Sequence, residues 1–479
     1  MVRTRYAPSP TGFMHIGNLR TALFEYLIAK GAKGVFVLRI EDTDRARYVE
    51  GAEEAIYETL KLVGLKYDEG PGVGGDYGPY VQSERKDNYM PHALDLVHKG
   101  KAYFCFCDKT RLDGLADERG LKKYDGFCCN LSRDDVKSRL ANGDAHVIRQ
   151  RIPEGKTTFS DEVYGDITID NIEMEDQILI KSDGMPTYNF ANVVDDHAMA
   201  ITHVVRGSEY LTSTPKYKLL YEALGWDLPT YVHLPLLQNA EGQKISKRHG
   251  DASIQDLLES GFLPEAIINY AALLGWSPPD NKEIFSLTEL VRVFDPKSIS
   301  KSPSTFDLTK LTWVNGEHIK AMPSESFFDL ALPHLQEAVK KPGMDYEYLA
   351  WITQSRVSFV RDCAALVDFI DALPEYEIAL YSHKKMKTNP TVAQKALGVV
   401  INVFETTDNW NHDALYEVAI KIAEENNMAK GQILWPIRTA LSGKPTTPCG
   451  ATEICELLGK DESIKRLKIG LAKLDNAKA

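Results

Sequence analysis

Apolar residues recur along this chain in two textures. Up to about residue 320, short apolar runs of the kind that form buried strands alternate with stretches where Ala, Leu, Ile and Phe return at helical spacing. The pattern predicts strands at 2–7, 35–40 and 231–237, and helices from His15 onward, over 49–64 and over 83–100. A stiff loop with two prolines fills 8–14, and a Gly-rich one fills 70–79. Runs at 178–180 and 187–190 flank Ser182-Asp183-Gly184-Met185, an Asp-Gly turn that predicts a hairpin. Ser213-Thr214-Pro215 has the cap and first-turn proline of a helix start. Beyond Pro323 the helical period stands alone, broken at Pro342-Gly343, Pro374, Pro390 and Gly443-Lys444-Pro445. The order of textures predicts an α/β region followed by an all-α one.

Composition adds bounds. A chain of 479 residues is too long for one ordinary domain, and 43% hydrophobic with 26% charged is a soluble globular balance. The sequence has neither an apolar run long enough for a membrane span nor a basic-then-apolar leader, so a cytoplasmic enzyme is expected. Seven irregularly spaced cysteines favour reduced thiols or a metal over a disulfide framework. The net charge of −12 argues against a generic polyanion binder. Locally the balance reverses: residues 421–479 hold 10 Lys and Arg against 7 Asp and Glu, either a basic tip for RNA or a solvated helical face.

Candidate chemistry lies first at the strand, loop and helix start of residues 3–23. Ligands of parallel sheets sit beyond the strands' carboxyl ends, and free N–H groups at a helix start attract phosphate oxygens. Gly12 and Gly17 allow close backbone approach, Pro8 and Pro10 stiffen the loop, and His15 can donate to a phosphate. An isolated H-x-G would be read more simply as a turn beside a surface histidine. A second motif changes the weighing, because Lys244-Ile245-Ser246-Lys247-Arg248 puts three cations after the strand-like run 231–237. Glu41, Asp42 and Asp44 follow the run 35–40, where a carboxylate can hold an ammonium or cap a helix. Neither G-x-G-x-x-G nor a Walker pattern occurs, which disfavours dinucleotide enzymes and P-loop ATPases.

Taken together, R-Y-A-P-S-P-T-G-F-M-H-I-G-N, R-I-E-D-T-D, Y-N-F-A-N-V-V-D-D and K-I-S-K-R resemble the motifs of the bacterial-type glutamyl-tRNA synthetase family, class I aminoacyl-tRNA synthetases with HIGH and KMSKS signatures. The resemblance is dense from residue 2 to about 320 and more diffuse beyond. It implies an α/β fold: a Rossmann-like catalytic domain in two halves, 1–100 and 187–249, split by an inserted α+β acceptor-stem domain at 101–186. A stem-contact domain at 250–322 and a two-part α-helical anticodon-binding region at 323–479 would follow. The implied reaction is ATP-dependent activation of L-glutamate and transfer to the 3′ end of tRNA(Glu), releasing AMP and pyrophosphate. Mg2+ would accompany ATP, activation would await tRNA, and the chain would be a monomer.

The resemblance also implies roles. His15, Lys244 and Lys247 would be catalytic; Thr11, Gly12, His15, Gly17, Asn18, Lys244 and Lys247 would bind ATP. Arg5, Ala7, Ser9, Glu41, Tyr188, Asn192 and Arg206 would bind the amino acid, with Glu41 on its α-amino group. Guanidinium groups bind carboxylates bidentately and stay charged, so Arg5 and Arg206 suit a dicarboxylate. Arg5 is assigned to the side chain and Arg206 to the α-carboxylate or nucleotide, though the two roles can exchange. Gly207-Ser208-Glu209-Tyr210 departs from more acidic or His-containing versions in the family, which leaves Glu209 a weak candidate.

Some relatives carry structural zinc on C-x-C followed by C-x-H. Here Cys105, Cys107 and Cys128 are kept, but Asn130 stands where the His would be, and an amide is a poor zinc ligand. Bound zinc is therefore not favoured. Three rival readings stand beside a strict glutamate enzyme: a non-discriminating one that also charges tRNA(Gln), a tRNA-binding paralogue without catalysis, and a nucleotidyltransferase on the same fold. The last would have no use for the long helical end. The paralogue would have little reason to keep His15, Lys244 and Lys247 together.

Overall fold

Four residues with mostly polar side chains, Arg3–Tyr6, form the fully buried strand β1. They stay in the interior because their charges are paired: Arg3 with Glu69 at 2.8 Å, and Arg5 with Glu25 and Asp196. The computed structural model describes residues 1–43, 49–115, 123–243 and 253–476. It divides into two compact units, Met1–Val314 and Asn315–Ala479.

In the first unit, β1 leads through the proline loop into helix α1, Ile16–Gly31, and then to β2, Val35–Leu38. The two strands pair in parallel from Arg3 opposite Val35 to Tyr6 opposite Leu38. α1 buries Leu19, Ala22, Leu23, Phe24 and Leu27, and with them Glu25. Helix α2 spans Ala52–Leu62. The stretch predicted as one helix over 83–100 is a 3-10 segment, Gln82–Asn88, followed by α3, Tyr89–His98. Pro91 is the cause: its ring excludes the carbonyl of a preceding helical turn, so an α-helix can begin there but not run through.

Strand β3 (Ala102–Cys105) and helices α4 (Lys109–Asp113) and α5 (Arg133–Ala141) come next. After them lie strands β4 (Val147–Gln150), β5 (Lys156–Asp161), β6 (Gly165–Asp170) and β7 (Ile178–Ile180). β3, β4 and β7 form an antiparallel sheet. β5 and β6 form a hairpin.

The hairpin predicted across 182–185 is formed only at its turn, where Thr187 N–H donates to the Leu179 carbonyl at 2.8 Å; its second arm is not a strand. Gly184, at φ 80°, makes the turn and Ile180 bridges Pro186, but Tyr188–Ala198 is helix α6. Four residues, Thr187, Tyr188, Asn189 and Phe190, are too few to distinguish a strand from a first helical turn. The packing does, because Phe190, Ala191, Val193 and Val194 fall together on a face buried against Tyr89, Leu96, Tyr217 and Leu220. Strand β8, His203–Gly207, helix α7, Thr214–Leu224, and strand β9, Thr230–Leu234, complete this part. β8 and β9 are parallel, and β5 adds to β9 at Asp161 opposite Tyr231, so the stretch 101–186 is tied into that sheet. Thr202 joins β8 to β1 by hydrogen bonds with Arg3.

The second unit is helical. Its longer helices are Ser324–Ala338, Pro390–Glu405, His412–Glu425, Lys430–Ser442 and Lys460–Asn476, and its described residues contain no strand. Pro390 takes the first turn of its helix, and Gly443, at φ 60°, ends another in the left-handed region. Among the described residues, no helix is long and apolar enough to cross a membrane.

Candidate active site

Beyond the carboxyl ends of β1 and β8 lies a cavity of about 290 Å³. Arg5, Ala7, Ser9, Thr11, Asn18, Tyr188 and Arg206 line it, together with Thr21, Glu25, Glu209 and Tyr210. Seven of the residues predicted from sequence are thus brought together. Glu41, Asn192, His15, Gly12 and Gly17 are not on its lining.

One wall comes from β1 and α1. Arg5 donates through Nε to Asp196 at 2.9 Å and through Nη1 to Glu25 at 3.1 Å, while its backbone N–H donates to the other Glu25 oxygen at 3.0 Å. Arg39, fully buried at the end of β2, donates to Asp196 at 2.8 Å and to Glu41 at 2.8 Å. Burial works to raise the Asp196 pKa, but Arg5 and Arg39 together hold it below the usual carboxylate range. For Glu25 the balance goes the other way: burial outweighs Arg5 and lifts it to about 8. Burial also lifts Glu41 against the pull of Arg39.

The other wall comes from α6 and β8. Arg206 is 6% exposed and its guanidinium lies 4.8 Å from the centre of the Tyr210 ring and 4.9 Å from that of Tyr217. Its Nε and Nη1 make no hydrogen bond. Asn192, one helical turn after Tyr188, is 2% exposed with Nδ2 also unpartnered. Tyr188, 36% exposed, tilts over the Tyr210 ring. On the β2 side, Glu41 spends Oε1 on Arg39, and its buried Oε2 has no partner. The Glu209 carboxylate folds over Gly207, where a Cβ would meet its Oε2 at 2.0 Å and oblige that side chain to move.

Buried polar atoms are almost always paired, and each one left alone costs about 1–3 kcal/mol. The two unpaired guanidinium donors of Arg206 on the lining, with an unpaired amide donor on Asn192 and an unpaired carboxylate acceptor on Glu41 buried off it, therefore mark a site that a ligand completes. The donors fit carboxylate oxygens and the acceptor fits an ammonium.

At the helix start, His15 is the N-cap of α1, and its Nδ1 accepts from the backbone N–H of Gly17 at 3.1 Å and Asn18 at 3.3 Å. That bond puts the neutral ring's proton on Nε2. Gly17 is required because a Cβ would lie 3.0 Å from His15 Cε1. Gly12, at φ 130°, turns the loop in a conformation reserved for glycine. Lys244, Lys247 and Asp44 fall outside the described residues.

Sequence reasoning passed over Glu25 and Asp196. Asp196 stood inside a quoted motif without a role. Glu25 had a detectable signal, a lone carboxylate within the apolar run of α1.

A second cluster lies beside β3. The sulfurs of Cys105, Cys107 and Cys128 lie within 4.8 Å of one another. Sγ of Cys107 is 3.5 Å from that of Cys128, and the Tyr124 hydroxyl is 3.3 Å from Cys105 Sγ. Asn130 is exposed at the end of the following 3-10 turn. Three thiols supply three of the four ligands that structural zinc takes, and exposed Asn130 is not a usual fourth.

Comparison with known proteins gives a consistent result. The family model for the catalytic domain of class I tRNA synthetases (E and Q) matches residues 1–313, and that for an anticodon binding domain matches 326–471. Glutamate–tRNA ligase of Clostridium novyi is 55% identical over 99% of both chains, and that of Clostridium acetobutylicum is 53% identical over 99% of both. Among solved structures, a glutamate tRNA ligase from Elizabethkingia meningosepticum in complex with its amino acid superposes with TM-score 0.86 at 35% identity, covering 99% of each chain.

Proposed function

The chain belongs to the class I tRNA synthetases (E and Q), and on that premise we propose that it is a glutamate–tRNA ligase that activates L-glutamate with ATP and transfers it to the 3′ end of tRNA(Glu). The observation that carries the choice of amino acid is a cavity lined by two buried arginines, Arg5 and Arg206, the second with Nε and Nη1 unpaired, while Asn192 Nδ2 and Glu41 Oε2 are buried and unpaired off its lining. L-Glutamate brings one ammonium and two carboxylates. Glu41 receives the ammonium, while Arg5 and Arg206 divide the carboxylates.

The α-carboxylate is ionised near neutral pH, so it attacks the ATP α-phosphorus without a general base, and pyrophosphate leaves. The protein's part is positioning and charge. His15, fixed by its cap bond, presents an Nε2 donor beside the glycine turn, and Lys244 and Lys247 supply cations for the departing phosphates. Mg2+ arrives with ATP and shields its charge. The terminal ribose hydroxyl of the tRNA then attacks the acyl carbon of the mixed anhydride, and AMP leaves. The helical region reads the tRNA, consistent with the anticodon-domain match. Cys105, Cys107 and Cys128 would hold zinc, with Tyr124 beside them, as a brace for the loops after β3; no step of the reaction passes through it.

The test is charging of tRNA(Glu) and tRNA(Gln) transcripts with labelled glutamate, alongside pyrophosphate exchange with and without tRNA. Charging of tRNA(Glu) alone supports the strict enzyme, and charging of both supports the non-discriminating one. No exchange and no charging under any condition defeats the catalytic reading and leaves the tRNA-binding paralogue.

A further inference from the structure

Glu25 presents a problem that the reaction as described does not solve. It is a fully buried carboxylate in the wall of the amino-acid cavity, held by both the backbone and the guanidinium of Arg5. Asp196 already pairs with Arg5 Nε, and Arg39 with Asp196 and Glu41. With every group ionised, three guanidiniums (Arg5, Arg39, Arg206) meet three carboxylates (Glu25, Glu41, Asp196), and the site is neutral. Glutamate at neutral pH carries a net charge of −1. A neutral buried site that must take an anion pays a desolvation cost with no net Coulomb gain. One proton placed inside the cluster removes the mismatch.

The geometry points to Glu25 as the proton's place: we propose that it is a positioning residue that is neutral when glutamate is bound, so that Arg5 keeps its full charge for the substrate and glutamate binding becomes linked to a proton. The inference rests on the reading of this cavity as the glutamate site. Of the three carboxylates, Asp196 has two guanidinium partners and Glu41 faces the substrate ammonium, so both gain from staying ionised. Glu25 has Arg5 and the Val205 backbone N–H, and Asp196 is the like charge nearby. Its elevated pKa of about 8 agrees with that ranking.

The surroundings bring no competing group. From β1 comes the Tyr6 phenol, which burial keeps neutral, and from β8 the cation Arg206. Tyr188 and Glu209 share the cavity wall; Glu209 is exposed and screened by water. The helices Pro264–Leu273 and Leu287–Val293, which pack on the other side of α1, bury no carboxylate and no base.

The experiment is the KM for glutamate in tRNA charging, measured from pH 7 to pH 9 for the natural chain and for Glu25→Gln, with the KM for ATP as control. A single linked proton leaving at about pH 8 raises the glutamate KM roughly tenfold across that range. The Gln variant, which cannot ionise, should show a ratio near one after the substrate's own titration is common to both. A glutamate KM with the same pH dependence in both proteins overturns the proposal. If the variant fails to fold, calorimetry of glutamate binding to the natural chain decides, in two buffers of different ionisation enthalpy near pH 8.5. Uptake of most of one proton per glutamate supports the proposal, and no uptake overturns it. Absence of glutamate charging at every pH would instead defeat the underlying reading of the cavity, which separates the two failures.

Discussion

The two walls of the cavity each carry a buried arginine and treat it in opposite ways. Arg5, on β1, spends Nε on Asp196 and Nη1 on Glu25. Arg206, on β8, leaves Nε and Nη1 unpaired, as does Asn192 with Nδ2. The same side chain in the same cavity is tied into an internal ion network on one side and left open to a ligand on the other. A saturated ion network fixes geometry, because breaking one partner strands the rest, whereas unpaired buried donors raise the energy of the empty site and release it to a ligand that fits. The difference teaches that one wall combines stability with affinity, whereas the other is given over to affinity.

The largest expected effect attacks the binding wall. Arg206→Met removes donors that have no internal partner, so the glutamate KM should rise roughly a hundredfold or more while the melting temperature stays the same or increases. A melting temperature that drops sharply would show that Arg206 is scaffold after all. Arg5→Gln should do both kinds of damage. It strands Glu25 next to Asp196, costing about 3 kcal/mol of stability by the scale for a broken buried pair, and weakens glutamate use roughly tenfold to thirtyfold with little change for ATP. Denaturant titration and a KM pair for the two substrates check it, and equal losses for ATP and glutamate would blur the comparison.

Smaller effects sharpen it. In Gly17→Ala the added methyl meets the His15 ring at 3.0 Å, which should shift the ring and slow activation roughly tenfold without touching either arginine. Single-turnover rates read this directly, and an unchanged rate would show that the His15 cap geometry is immaterial. The smallest effect is on stability. Glu25 has a raised pKa in the folded state, so its contribution is fully present below the unfolded value, about 4.3, and is lost as pH rises through about 8. Glu25→Gln should therefore gain stability relative to the natural chain, by a few degrees in melting temperature, when the two are compared at pH 9 rather than pH 6. A difference that does not change with pH would mean that Glu25 does not titrate in this window.

How much of this could be read from sequence follows from what each signal depends on. The start of α1 was legible because glycines and prolines act locally, but not the roles there: His15, read as a phosphate donor, is also the cap, and Gly17, read as room for a ligand, lies against the His15 ring. Seven residues of the cavity lining came through motif resemblance, which carries three-dimensional information that periodicity lacks. Thr187 to Phe190 misled because so short a stretch fits either period, and the long-range packing of α6 decided it. The charge logic of β1 was hidden for a similar reason. Arg3 and Arg5 look like surface residues until Glu69, Glu25 and Asp196, distant in sequence, are brought to them. The thiols illustrate both sides: Cys105, Cys107 and Cys128 were visible as a set, while the Tyr124 hydroxyl beside them carried no sequence mark.

The central claim is that the unpaired groups of the α6 and β8 wall select glutamate. Its most direct test is the ratio of kcat/KM for glutamate to that for glutamine in charging tRNA(Glu), determined for the natural chain and for Arg206→Met. If Arg206 receives the side-chain carboxylate on otherwise empty donors, the exchanged assignment of the two arginines, the preference for glutamate should collapse by roughly a hundredfold or more when it is removed, the scale for losing a bidentate charged contact. A variant that folds and keeps the full preference would contradict the account.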